Sequence, residues 1–316
     1  MDDFFTKLGT EWESVKCLNL ETKSIDKEYT PDLIGDYQEQ EANEGEGKWS
    51  VNGRVYSPCG TTLSKLPAGV YEAAQRMDGS LFLVRKTVKT DKLLRFPDSN
   101  IGDILKHVEH FWSVKDKYES EGGFLYKRGI LVHGPAGGGK TALMMLLMKD
   151  LIDKGGIVLL GDYPRLDSKA LVMIRDVEPE TPIITIYEDI DEIIRYYGDK
   201  ALTELLDGES NVDNVLYLAT TNYPERLPPR IINRPSRFDI IHYVGMPNAA
   251  SRKMFLQEKT NLSPSELETW VAKTDKLSIS HLKELIISVK ILGHSLDESI
   301  VKLKNMKRPP SSAQYE

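Results

Sequence analysis

The run Gly134-Pro135-Ala136-Gly137-Gly138-Gly139-Lys140-Thr141 constrains this chain more than any other segment, because it fits G-x-x-x-x-G-K-[ST] and joins an apolar strand to an apolar helix. Glycines let successive backbone N–H groups converge on an anion, and the helix that follows presents its positive end. Lys140 is then placed to reach the β- and γ-phosphates of a nucleotide, Thr141 to hold Mg²⁺, and Ala142 to contribute the next amide. The flanks agree with this reading. Gly129-Ile130-Leu131-Val132-His133 is a short apolar run suited to a buried strand, and Ala142-Leu143-Met144-Met145-Leu146-Leu147-Met148 suits a helix packed on a sheet.

The 316 residues exceed one ordinary domain, so two or three domains are expected. A net charge of −7 argues against broad electrostatic binding to nucleic acid and favours a protein partner. Cys17 and Cys59 lack metal-ligand spacing, so neither a disulfide framework nor a zinc site is expected. No basic leader followed by an apolar stretch opens the sequence, and 18 apolar residues never occur in succession. The expectation is a cytoplasmic protein without a membrane span.

Residues 1–48 carry 13 acidic and 5 basic side chains and are read as an acidic, flexible arm. From Trp49 the texture changes. Trp49-Ser50-Val51 and Arg54-Val55-Tyr56 flank Asn52-Gly53, and Val70–Ala73 and Leu81–Val84 flank Asp78-Gly79, so two hairpins make residues 49–100 a small antiparallel β module. A helix is predicted from Ile101 to Tyr118, with Ile104, Val108, Phe111 and Trp112 on one face. Short apolar runs at 157–160, 183–187, 215–219 and 240–244 then alternate with helical segments, which predicts a parallel α/β sheet with helices on both faces over residues 101–247. Amphipathic helices near 248–260, 263–273, 278–292 and 295–306 predict a small helical lid domain, and 307–316 reads as a tail.

Nucleotide hydrolysis needs a second acidic site at the end of a neighbouring strand, with one carboxylate for Mg²⁺ and another for the attacking water. Ile183–Tyr187 followed by Glu188-Asp189-Ile190-Asp191-Glu192 supplies it. Taking Asp191 and Glu192 as the active pair would bury Glu188 and Asp189 within the strand, where unpaired carboxylates are strongly disfavoured. Glu188 is therefore assigned to Mg²⁺ through water, and Asp189 as the base. The next strand ends in Thr220-Thr221-Asn222, which puts a neutral amide where it can position water or touch the γ-phosphate.

The segment from Ala219 to Asp239, with Arg234-Pro235-Ser236-Arg237 near its end, resembles the second region of homology of the AAA ATPases. The resemblance spans about residues 101–292. Within that family the chain is similar to the Bcs1-like branch, because Tyr187-Glu188-Asp189-Ile190-Asp191 has Glu-Asp where most members have Asp-Glu, and Leu202–Gly208 also fits that branch. The resemblance implies a P-loop fold of the AAA+ type, ATP and Mg²⁺ as ligands, Asn222 as the first sensor, and Arg234 and Arg237 as arginine fingers that reach a neighbouring subunit's nucleotide. It thereby implies a homo-oligomeric ring, a hexamer or heptamer. Ser236 stands where the family has glycine, which leaves the local turn open. At the second-sensor position no arginine occurs; Ser278 or Ser280 reads as a helix cap and His281 as a surface side chain. Members of the Bcs1 branch carry a membrane span that has no counterpart here, so their membrane-bound role does not carry over. Tyr163, in Gly161-Asp162-Tyr163-Pro164, occupies about the position of the aromatic residue with which such rings grip a polypeptide, although a strand-terminating turn explains it equally well. The β module resembles, loosely, the N-terminal parts of phage-encoded AAA proteins, for which the compartment would be the host cytoplasm.

The function expected from these residues is Mg²⁺-dependent ATP hydrolysis by a ring that remodels or translocates a protein. Two alternatives use the same motifs: a nucleotide-gated assembly with little turnover, and a DNA-associated loader or helicase accessory, against which the acidic balance weighs.

Overall fold

A computed structural model describes residues 48–52, 55–59, 63–88, 93–94, 101–121, 123–207 and 212–305. Most of the acidic arm, and the tail expected at 307–316, lie outside the described residues, as does the Gly53-Arg54 turn. The chain runs through β1 (Lys48–Asn52), β2 (Val55–Cys59), β3 (Gly69–Gln75), β4 (Leu81–Lys86), α1 (Ile101–Ser113), α2 (Lys115–Ser120), β5 (Lys127–His133), α3 (Lys140–Asp153), β6 (Ile157–Leu160), α4 (Pro164–Val177) and β7 (Ile183–Tyr187). It continues through α5 (Ile190–Tyr197), α6 (Asp199–Asp207), β8 (Val215–Thr221), α7 (Pro229–Ile232), β9 (Ile240–Tyr243), α8 (Ala249–Lys259), α9 (Pro264–Lys273), α10 (Ile279–Ile286) and α11 (Leu296–Asn305).

Seven strands form one sheet in the order β4-β3-β6-β7-β8-β5-β9, parallel except for the β3–β4 hairpin. The apolar runs that form its centre are buried on both faces, and the period of two along each strand divides them between two cores. Ile130 and Val132 of β5, Ile184 and Ile186 of β7, and Leu216 and Leu218 of β8 pack with α1 and α3. Their neighbours Leu131, Ile183, Tyr187, Val215 and Tyr217 pack on the opposite face with α4, α5 and α6. This is the α/β P-loop architecture expected from the sequence.

Two boundaries differ from the sequence reading. The second hairpin is not part of a separate module: β3 pairs in parallel with β6, Val70 opposite Val158, and so extends the main sheet at its edge. Only β1 and β2 form an antiparallel pair of their own. The hairpin turn itself is as read, with Gly79 at φ +85° donating its N–H to Arg76 O at 2.9 Å. The long helix predicted over 101–118 is two helices, broken at Val114, whose ψ of 20° leaves the helical range.

After β9 the elements among the described residues are all helical. Asn248 caps α8 by accepting from Ser251 N, Ser278 caps α10, and Ser263 with Glu266 closes a capping box at α9. Leu256, Trp270, Leu285 and Ile300 bury the apolar faces of α8 to α11 against one another. Among the described residues, no helix is long and apolar enough to cross a membrane.

Candidate nucleotide site

Strand β5, between β8 and the edge strand β9, delivers the chain to the glycine-rich loop, and α3 carries it away. Two glycines there are obligatory. A Cβ on Gly134 would fall 2.0 Å from the Val244 carbonyl oxygen, and one on Gly137, at φ +75°, would fall 2.6 Å from Ser278 Oγ. The loop therefore lies directly against the end of β9 on one side and the cap of α10 on the other. Gly139 begins α3 at φ +112° without any side-chain capping bond, so the leading amides of the helix are not satisfied by a cap.

Lys140 is 7% exposed. Its Nζ donates to Gly134 O at 2.8 Å, to Pro135 O at 3.0 Å and to Asn222 Oδ1 at 2.6 Å. Burial lowers the pKa of this ammonium, and the charge of Asp189 works in the opposite direction. The Asn222 amide reaches both ways, since its Nδ2 donates to Asp189 Oδ1 at 3.1 Å. Asp189 is held a second time where its backbone N–H donates to Thr220 Oγ1 at 3.3 Å. It needs such support, because its φ of 45° and ψ of 55° lie in the left-handed region.

Glu188 follows β7 immediately. Partial burial of its carboxyl, and then the charge of Asp189, raise its pKa. Asp191 has a different place: it is 8% exposed, accepts from Thr221 Oγ1 at 2.6 Å and lies 3.7 Å from Arg226 Nη1. It braces the ends of β7 and β8 rather than facing the loop.

Lys140, Thr141, Glu188, Asp189 and Asn222 line one cavity of about 290 Å³, together with Ala136, Gly137, Gly139 and Ala142 of the loop and first turn. Pro135 and Gly138 shape the loop through a 3.1 Å bond from Gly138 N to Pro135 O. The donor set fits a magnesium nucleotide: uncapped helix amides and an ammonium for phosphate, and a hydroxyl and two carboxylates for a hydrated divalent cation. Thr220, Ile279 and Ser280 also line this cavity, a place the sequence reading gives to none of them; of the two cap candidates Ser278 caps α10, and Ser280 faces the cavity.

Arg234 and Arg237 are not brought to this cavity; both converge on Asp207. Arg237 has 6% of its side chain exposed, donates from Nε to Asp207 Oδ2 at 2.9 Å and from Nη1 to Arg230 O. Arg234 has 64% exposed and lies 3.6 Å from the same carboxylate oxygen. Within one chain the two arginines therefore differ: Arg237 is held in a buried ion pair, while Arg234 is mostly exposed and more loosely paired with the same carboxylate. Nothing local to the sequence identifies Asp207 as their partner, since it lies 30 residues before Arg237. Ser236, between them, adopts φ +76°, the backbone conformation that a glycine takes readily.

Residues 130–246 match the model of the ATPase family associated with various cellular activities (AAA). The segment 130–246 is thus an AAA-type ATPase segment. It is 24% identical over 249 residues to the probable mitochondrial chaperone bcs1 of Schizosaccharomyces pombe, covering 75% of this chain and 49% of that protein. To the mitochondrial chaperone BCS1 of Homo sapiens it is 25% identical over 256 residues, covering 75% and 54%. The ATP-dependent zinc metalloprotease FtsH of Rhodococcus erythropolis is 26% identical over 217 residues, covering 58% and 25%. The chain is similar to the Bcs1-like branch, and it spans about half the length of the two chaperones.

Proposed function

We propose that this protein binds Mg·ATP in the 290 Å³ cavity, hydrolyses it as a homo-oligomeric ring of six or seven subunits, and uses the cycle to remodel or translocate a polypeptide. The observation that carries the reading is the chain of contacts from Lys140 through Asn222 to Asp189, which joins the glycine-rich loop to the ends of β8 and β7 in one constellation.

Bound Mg·ATP supplies the γ-phosphoryl group and the charge of the cation. The loop amides from Gly137 to Ala142 hold the phosphate oxygens, and Lys140 neutralises charge between β- and γ-phosphate. Thr141 and Glu188 hold the hydrated cation. Asp189 accepts a proton from the attacking water as the new P–O bond forms and the bond to the leaving ADP oxygen breaks, and Asn222 keeps the Asp189 carboxylate turned towards that water. Arg234 reaches the cavity of the next subunit, where its charge offsets that of the leaving phosphate. Tyr163, at the N-terminus of α4 and 38% exposed, is proposed as a polypeptide contact.

The test combines a turnover assay with a size measurement in the presence of a non-hydrolysable ATP analogue. Analogue-dependent rings together with ATP turnover support the proposal. Rings without turnover would replace it with a nucleotide-gated assembly, and salt-sensitive DNA binding would revive a role on DNA.

A further inference from the structure

The nucleotide site continues into a second part of the molecule through a side chain that hydrolysis does not use. Tyr187 is the last residue of β7, directly before Glu188, and it is fully buried in the core on the α4 side of the sheet. Gly161, the first residue after β6, lies flat on its ring: the Gly161 N–H donates to Ile186 O at 2.8 Å, and a Cβ at Gly161 would fall 2.2 Å from Tyr187 Cε1. Beyond the ring, the Tyr187 hydroxyl donates to Asp167 Oδ2 at 3.1 Å.

Asp167 sits in the first turn of α4 and is 2% exposed. A buried carboxyl is costly and needs partners. Here they are the Tyr187 hydroxyl and the backbone amides of Asp162 and Tyr163, which favour its charged form, and its own N–H donates to Tyr163 O at 3.0 Å. Residues 161–163 are thereby held from beneath by a pair whose other end is the strand that carries Glu188 and Asp189. The same loop is held a second time, because the Tyr163 ring lies 4.8 Å from that of Tyr197, on the last turn of the helix that starts after Asp189. A cavity of about 760 Å³ is lined by Tyr163 and Tyr197 and also by Thr141 and Glu188.

We propose that Asp167 and Tyr187 are positioning residues that couple the loop 161–163 to the carboxylates of the nucleotide site, so that occupancy of that site is passed to Tyr163 and to the larger cavity. The physical basis is the close contact of Gly161 with the Tyr187 ring, which leaves no room even for a Cβ, so a displacement of the ring is passed to the loop rather than absorbed at that contact. This inference rests on the nucleotide reading above.

Backbone hydrogen exchange on the full chain, with and without a non-hydrolysable ATP analogue and Mg²⁺, tests it against Tyr187→Phe, which keeps the ring and removes only the hydroxyl. Binding of a fluorescent ATP is measured alongside. The analogue should change exchange at 161–163 roughly 2- to 30-fold in the wild type. In Tyr187→Phe that change should shrink to less than about half, with ATP affinity retained, and Asp167→Asn should behave alike. An undiminished change in both variants would overturn the coupling. So would equally raised exchange with and without the analogue, which marks a purely structural pair, or no analogue effect in a wild type that binds ATP. Failure of the wild type to bind ATP would instead overturn the nucleotide reading, and the coupling with it.

Discussion

Asn222 and Asp189, on the ends of adjacent strands, are joined by a 3.1 Å hydrogen bond from amide Nδ2 to carboxylate Oδ1. The amide's other atom accepts from Lys140 at 2.6 Å, so the orientation of Asn222 is fixed from both sides. The carboxylate proposed to receive a proton from water is thus aimed by the residue that also touches Lys140, the proposed phosphate ligand.

Asn222→Ala should lower kcat roughly 10²-fold while the KM for ATP moves less than about fivefold, because the amide orients rather than binds. Asn222→Asp should be at least as damaging, since it sets a second carboxylate against Asp189. Steady-state kinetics on both variants provide the check, and an unchanged kcat would remove Asn222 from the site.

The two arginines at Asp207 should separate on substitution. Arg234→Ala should retain thermal stability and lose about 10³-fold in turnover, partly restored in mixed assemblies with Asp189→Asn subunits, whose Arg234 is intact. Arg237→Ala leaves the mostly buried Asp207 without its closer partner and should cost about 3 kcal/mol of stability, read from the urea midpoint. Absence of rescue in the mixtures would count against action between subunits.

Ser236→Gly should stabilise the protein by about 0.5–1 kcal/mol, since φ +76° is strained for serine and open to glycine. Ser236→Val should destabilise it by more than that. Urea denaturation of the three proteins measures both.

Burial raises the pKa of Asp167 from 3.8 to about 7. Between those two values the folded state holds a proton that the unfolded state has released, so this group's contribution to stability is greatest below pH 4, falls as pH rises, and levels off above about 7. The slope cannot exceed about 1.4 kcal/mol per pH unit. Asp167→Asn removes it, so the wild type should lose stability relative to the variant between pH 5 and pH 7 in urea titrations, with no further relative loss from pH 7.5 to 8.5. A constant difference across pH 5 to 7 would contradict the shift.

Much of this site is legible in the sequence because its parts are local. The loop is one contiguous motif, and the end of β7 at Tyr187 follows from the cost of burying Glu188 and Asp189. What is not legible depends on distant partners. The alternation of Val70–Ala73 and Leu81–Val84 specifies a hairpin but not that Val70 will pair with Val158. Arg234 and Arg237 look equivalent until Asp207 takes one of them out of solvent. The serine in the place of a glycine at 236 leaves the turn open in the sequence, and the backbone keeps the glycine conformation and the strain with it.

One constellation, running from Lys140 to Asp189, is proposed to bind ATP and to hydrolyse it. Its most direct test is ATP affinity and turnover measured side by side for the wild type, Lys140→Ala and Asp189→Asn. The account predicts that Lys140→Ala loses binding, and that Asp189→Asn binds ATP within about threefold of the wild type while turnover falls at least about 10²-fold. Wild-type turnover in Asp189→Asn, or undiminished ATP binding in Lys140→Ala, would contradict it.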